Sequence, residues 1–107
     1  MIYLVNAFSL NMLPPSLIEG SIRFRMLSLE EARSLLANGF VSGIGHADTA
    51  QLLTQLLGLS VQENRANITL TPGATLVVAQ YRGPRLPEGT TVLPQGAQIL
   101  FYLVELV

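Results

Sequence analysis

Ile2-Tyr3-Leu4-Val5 is β-rich and apolar on both faces, the pattern of a strand inside a sheet that is covered on each side. Asn6, Ser9 and Asn11 then bring polar side chains into an otherwise apolar run, and Pro14-Pro15 ends it. Beyond them Ile22 to Met26 alternates, with Ile22, Phe24 and Met26 on one face and Arg23 and Arg25 on the other. This reads as a half-exposed strand with solvated arginines. Ser28 followed by Glu31 matches a capping box, and the helix it opens carries Leu29, Ala32, Leu35 and Leu36 on one face before Asn38-Gly39 stops it. A second helix is expected with Asp48 or Thr49 as its cap, Leu52, Leu53, Leu56 and Leu57 as its buried stripe, and Gly58 at its end. Asn67 to Leu70 and Thr75 to Tyr81 read as two strands joined into a hairpin at Pro72-Gly73. Arg82 to Gly89 is a loop, and Gln98 to Val107 a strongly apolar last strand. Elements mixed in this order predict an α/β (α+β) sandwich: a mixed sheet of about five strands covered by helices.

Composition sets the bounds. The 107 residues fit one domain, 1–107, without repeat or linker, and a chain of this size buries roughly 60–70% of its surface on folding. The absence of cysteine excludes disulfide scaffolds, thiolate zinc sites and cysteine nucleophiles. A single histidine, His46, excludes a multi-histidine metal site within one subunit, and no cofactor is implied. The net charge of −1 argues against a non-specific duplex-DNA binder, which carries a basic excess. All six positive side chains are arginine, so lysine Schiff-base and P-loop chemistry are ruled out. The longest apolar stretch, Ile99 to Val104, falls far short of the ~20 residues of a spanning helix. The opening MIYLVNAFSL has no cationic leader and is broken by Asn6. A compact, cytoplasmic protein is expected. Apolar content of 50% with only 12% charged residues points to a partner subunit covering part of the surface.

Chemistry concentrates in two loops. Gly43-Ile44-Gly45-His46-Ala47-Asp48-Thr49 places two glycines, which permit close backbone approach, before a helix N-terminus that offers free amides to an anion. His46 at that junction carries an imidazole, a side chain suited to protonate a leaving oxygen. Taken alone, the stretch is more commonly a capped helix with a surface histidine. In the Arg82 to Gly89 loop, arginine offers bidentate bonds to phosphate, and Glu88 is a carboxylate able to orient an imidazolium. The plainer alternative is a turn with a solvated ion pair. Arg65 taken alone is most simply surface, and Asn6, Ser9 and Asn11 are most simply turn and cap residues.

The combination resembles a known family. Asn6-Ala7-Phe8-Ser9-Leu10-Asn11-Met12-Leu13, then Ile44-Gly45-His46-Ala47-Asp48-Thr49-Ala50-Gln51-Leu52, then Asn64-Arg65, then Arg85-Leu86-Pro87-Glu88-Gly89 is similar in order and spacing to the small viral anti-CRISPR ring nucleases of type III systems. The likeness runs from Ile2 to about Gly89. It implies a compact homodimer that binds cyclic tetra-adenylate and linearises it without metal, silencing the nucleases which that messenger activates. It further implies His46 as general acid for the departing 5′-oxygen, Glu88 as its supporting carboxylate, and Arg85 at the scissile phosphate. Asn6, Ser9, Asn11, Gly45, Arg65 and Gln80 fall on positions associated with ligand binding. For a virus-encoded copy the implied location is the host cytoplasm.

The chemistry suits the residues. Attack by the ring's own 2′-hydroxyl needs neither metal nor protein nucleophile, leaving alignment, charge stabilisation and proton supply to the protein. A two-fold dimer would present two copies of His46 to one ring. Departures from the family pattern fall at Ala47-Asp48, Pro87, an inserted Gly83-Pro84, and a short segment after Gly89. Asp48 adds negative charge near the expected phosphate site. These departures motivate an alternative, a protein that sequesters the messenger or another nucleotide without turnover. A third possibility is an interaction protein using an apolar dimer face, its motifs serving only as turns.

Overall fold

A computed structural model describes residues 1–107. Five strands, β1 (Ile2–Val5), β2 (Ile22–Leu27), β3 (Val41–Ser42), β4 (Thr75–Arg82) and β5 (Gln98–Leu106), form one mixed sheet in the order β2-β5-β4-β1-β3. Two helices, α1 (Leu29–Ala37) and α2 (Ala47–Leu57), complete the α+β domain with a short 3-10 turn at Leu10–Met12. No helix is long and apolar enough to cross a membrane.

β1 lies inside the sheet, parallel to β4 on one side and to β3 on the other. Its alternation feeds two cores. Leu4 packs with Val77, Ala79, Phe101 and the buried faces of both helices. Val5 packs on the opposite face with Leu76, Val78, Val104 and the segment carrying Ile68 and Leu70. Full burial of each such side chain stabilises by about 1.5–3 kcal/mol relative to exposure. Leu4, Leu36, Leu53 and Leu76 are among the largest fully buried groups.

The helices form where expected. Ser28 and Glu31 make the complete capping box on α1. The Ser28 amide, and then the Arg25 guanidinium, hold the Glu31 carboxyl below its usual range. α1 ends at Asn38, before Gly39 at φ +112°. α2 ends at Gly58 in the left-handed conformation, which glycine adopts without a Cβ penalty.

Three sequence expectations fail for identifiable reasons. Asn67–Leu70 is not a strand, and no hairpin forms at Pro72-Gly73. Both edges of β4 are already taken by β1 and β5, so Ile68 and Leu70 cover the sheet's second face instead, with the Leu70 amide donating to the Met12 carbonyl at 2.6 Å. Neither Asp48 nor Thr49 caps α2. The helix starts at Ala47, with His46 in the N-cap position two residues before Asp48, and no side chain caps it. The strand at Val41–Ser42, absent from the sequence reading, occupies the outer edge beside β1.

The helices both lie on one face of the sheet. On the other, the 3-10 turn segment and residues 68–74 cover the β1–β4 end, but the β2 end stays open. Phe24 is 66% exposed, Met26 55% and Ile22 37%. The aromatic partner of Phe24 is Tyr102, edge to face, with ring centroids 6.3 Å apart. On the helix side of β2, Arg23 pairs with Glu105 and Arg25 with Glu31.

Candidate functional site

Because β3 and β4 run parallel to β1, the carboxyl ends of all three strands meet at one edge of the sheet. In open α/β sheets that edge is where ligands bind. Asn6 follows β1, the Gly43–His46 loop follows β3, and Gln80 to Arg82 finish β4. A cleft of about 320 Å³ opens there, lined by Asn6, Thr49, Gln80, Tyr81, Arg85 and Leu86 among others. Its volume is at the lower end of the range for small-molecule sites.

The Gly43–His46 loop is held rigidly from below. The Gly43 amide donates to the Leu4 carbonyl at 2.8 Å. A Cβ on Gly43 would lie 2.4 Å from the Ile68 Cδ1 and 3.0 Å from the Val5 Cγ1, so a larger residue at this crossing must push the Ile68 side chain aside. Ser42, the one buried polar residue, accepts from the Ile44 amide and donates to the Gln62 carbonyl. Asn64 closes the other side, its side chain donating to the Ser42 carbonyl at 2.6 Å and its amide to the Ile44 carbonyl at 2.7 Å. The Nε of Arg65 donates to the Gly45 carbonyl at 3.0 Å. Arg65 therefore fixes the residue before His46. The imidazole itself is exposed at the N-cap of α2.

The second loop is tied to the same helix. The Tyr81 hydroxyl donates to the Pro84 carbonyl, and the Gly89 amide donates to Asp48 Oδ2 at 2.8 Å. Asp48 thus reaches across to the loop and is not among the residues lining the cleft.

Among the residues expected in the site, Asn6, Gln80 and Arg85 share the cleft. Gly45, His46 and Arg65 form the adjoining loop. Ser9 caps the 3-10 turn, its hydroxyl accepting from the Asn11 amide at 3.2 Å, so Ser9 and the Asn11 backbone serve a local turn there. Glu88 sits one residue before the Gly89 anchor, and no hydrogen bond or ion pair joins it to His46. Thr49 and Tyr81, which line the cleft, escaped the sequence reading, as did the supporting Ser42 and Asn64. Thr49 and Asn64 stand inside the motifs that carry the family resemblance, whereas nothing in the sequence marked Tyr81 or Ser42.

Fold and site together define a class: a small mixed-sheet α+β protein with a polar cleft at the carboxyl ends of its parallel strands and a histidine-bearing loop beside it. The chain belongs to the STIV B116-like family, whose model matches residues 2–97. It is 34% identical over 93 residues to "Uncharacterized protein 26" of Sulfolobus islandicus filamentous virus (isolate Iceland/Hveragerdi), a match covering 86% of this chain and 76% of that protein. Its structure resembles B116 of Sulfolobus turreted icosahedral virus (STIV), with a TM-score of 0.78 and 30% identity over 97% of each chain.

Ser42 tests the support beneath the histidine loop. Ser42→Ala strands the Ile44 amide in a buried position and is expected to cost about 1–3 kcal/mol, read as a lower urea midpoint with an unchanged slope.

Proposed function

We propose that this protein is a metal-independent ring nuclease that opens cyclic tetra-adenylate to linear di-adenylates and so switches off type III CRISPR signalling. One observation carries the reading. An exposed histidine whose side chain makes no cap bond stands at the N-cap of α2, one helical turn before Thr49, and Thr49 lines a cleft that gathers Asn6, Gln80 and Arg85 at the carboxyl ends of the parallel strands.

The chemistry follows from these groups. Arg85 at the cleft wall supplies a planar, permanently charged partner for a phosphate. Asn6 and Gln80 offer both donors and acceptors to a base or ribose. With the ring seated, its 2′-hydroxyl loses its proton to solvent water as the 2′-oxygen attacks the adjacent phosphorus, and the bond to the 5′-oxygen breaks. The His46 imidazolium gives its proton to that departing oxygen, leaving a 2′,3′-cyclic phosphate on one fragment and a 5′-hydroxyl on the next. Proton transfer and charge stabilisation are the chemistry that these residues offer. Glu88 orients the imidazolium once the ligand draws the two loops together.

The ring is larger than the cleft of one chain, and a second copy supplies the matching half. The open β2 face, with Phe24 and Met26 more than half exposed, is the surface two copies bury against each other. An apolar patch of this kind on a monomer marks an interaction site. A two-fold dimer would bring one His46 from each copy to a shared ring.

Two measurements check this. In excess EDTA the wild-type protein is expected to convert the ring to linear di-adenylates, and His46→Ala to slow this by at least ~10²-fold with ring binding largely retained, since proton donation acts in the transition state. Unchanged turnover in His46→Ala removes the catalytic assignment. Stoichiometric protection of the ring without product instead supports sequestration, a reading favoured by the lack of a Glu88–His46 contact in the free protein. By size-exclusion with light scattering the wild type is expected at twice the chain mass and Phe24→Asp at the chain mass. A monomeric wild type contradicts the shared site.

A further inference from the structure

Asp48 carries the only hydrogen bond between α2 and the long loop of residues 83–97. The Pro87–Thr90 segment is a tight turn. The Thr90 amide donates to the Pro87 carbonyl at 3.2 Å, the Thr90 hydroxyl donates to the same oxygen at 2.6 Å, and Gly89 takes φ +86° at the third position, where a turn of this type requires glycine. The turn's own bond leaves the Gly89 amide unused, and Asp48 accepts it in a charge-assisted bond. The other end of the segment is fixed by the Tyr81 hydroxyl on Pro84. Arg85 and Glu88 therefore lie on a short span pinned at both ends, with Asp48 as the pin nearer Glu88.

We infer that Asp48 is a positioning residue: by latching Gly89 to the first turn of α2, it sets the placement of Arg85 and Glu88 relative to His46. This rests on the proposed ring-nuclease reading for its catalytic consequence, but the latch itself does not. A carboxylate in the first turn of a helix is favoured by the helix dipole. Its engagement with Gly89 occupies one carboxylate oxygen in ordering the loop, and Asp48 is not among the residues that line the cleft.

Asp48→Ala removes the acceptor, whereas Asp48→Asn keeps an oxygen able to receive the Gly89 amide. The chain has no lysine, so trypsin reports arginines alone, and the full-length protein can be probed at Arg85 in the loop and at Arg82, the β4 residue that leads into it, against Arg33 within α1. Asp48→Ala is expected to raise cleavage after Arg82 and Arg85 about tenfold, the effect of losing one charge-assisted bond on a locally opening segment. Cleavage after Arg33 stays unchanged, and Asp48→Asn behaves nearly as wild type. For ring cleavage, kcat falls about tenfold in Asp48→Ala with KM within about twofold, and Asp48→Asn restores it, because the missing term is orientation rather than binding. Unchanged loop cleavage in Asp48→Ala overturns the latch, and so does an equal rise at all three arginines, which signals global unfolding. Faster loop cleavage with an unaltered kcat overturns the positioning role. A wild type that cuts no ring removes the proposed function, while the trypsin comparison still decides whether Asp48 holds the loop.

Discussion

The parallel pairing of Tyr3 and Leu4 with Val41 and Ser42 on one side, and of Leu4 and Val5 with Val77 and Val78 on the other, constrains everything else in the molecule. It brings three strand ends, and the loops that follow them, to one edge of the sheet. Parallel strands need covered faces, and β1 obtains both covers from adjacent residues: Leu4 beneath the helices, Val5 beneath the 68–74 segment. The close crossing of Gly43 over Val5 and Ile68 transmits that packing directly to the histidine loop. A change at the strand pair is therefore a change in where His46 begins.

Around this frame, polar residues far apart in sequence act as struts. Ser42 and Asn64 fix the backbone of the loop, Arg65 takes up the Gly45 carbonyl, and Asp48 ties in the arginine-bearing segment. The side chains left unoccupied by such duties, His46 and Arg85 among them, are those that the proposed chemistry needs free. The contrast between Arg65 and Arg85 shows this best. Both stand in the recognisable motifs, yet one guanidinium is engaged with backbone and the other faces the cleft.

Local chemistry was legible in the sequence, and competition between partners was not. The capping box at Ser28 and Glu31, the leucine stripes of both helices and the buried character of Ile2–Val5 follow from spacing alone. The location of His46 at a loop–helix junction was equally plain. Asn67–Leu70 has the alternating burial of a strand, with Ile68 and Leu70 buried, but whether it joins the sheet depends on β5 already occupying the far edge of β4. Val41–Ser42 is too short to show any period. Asp48 looked like a cap because that is what an aspartate at a helix start most often does, whereas its actual partner is 41 residues away. The exposed side of β2 reads as apolar from sequence, and only the assembled sheet shows that nothing in the same chain covers it.

The most direct test of the central claim compares two rings in one assay: cyclic tetra-adenylate and its all-deoxy counterpart, which lacks the attacking hydroxyl. If an internal 2′-oxygen is the nucleophile and His46 the acid, the wild-type protein consumes the ribose ring and leaves the deoxyribose ring intact at equal occupancy. Scission of the deoxyribose ring, or survival of both, would contradict it.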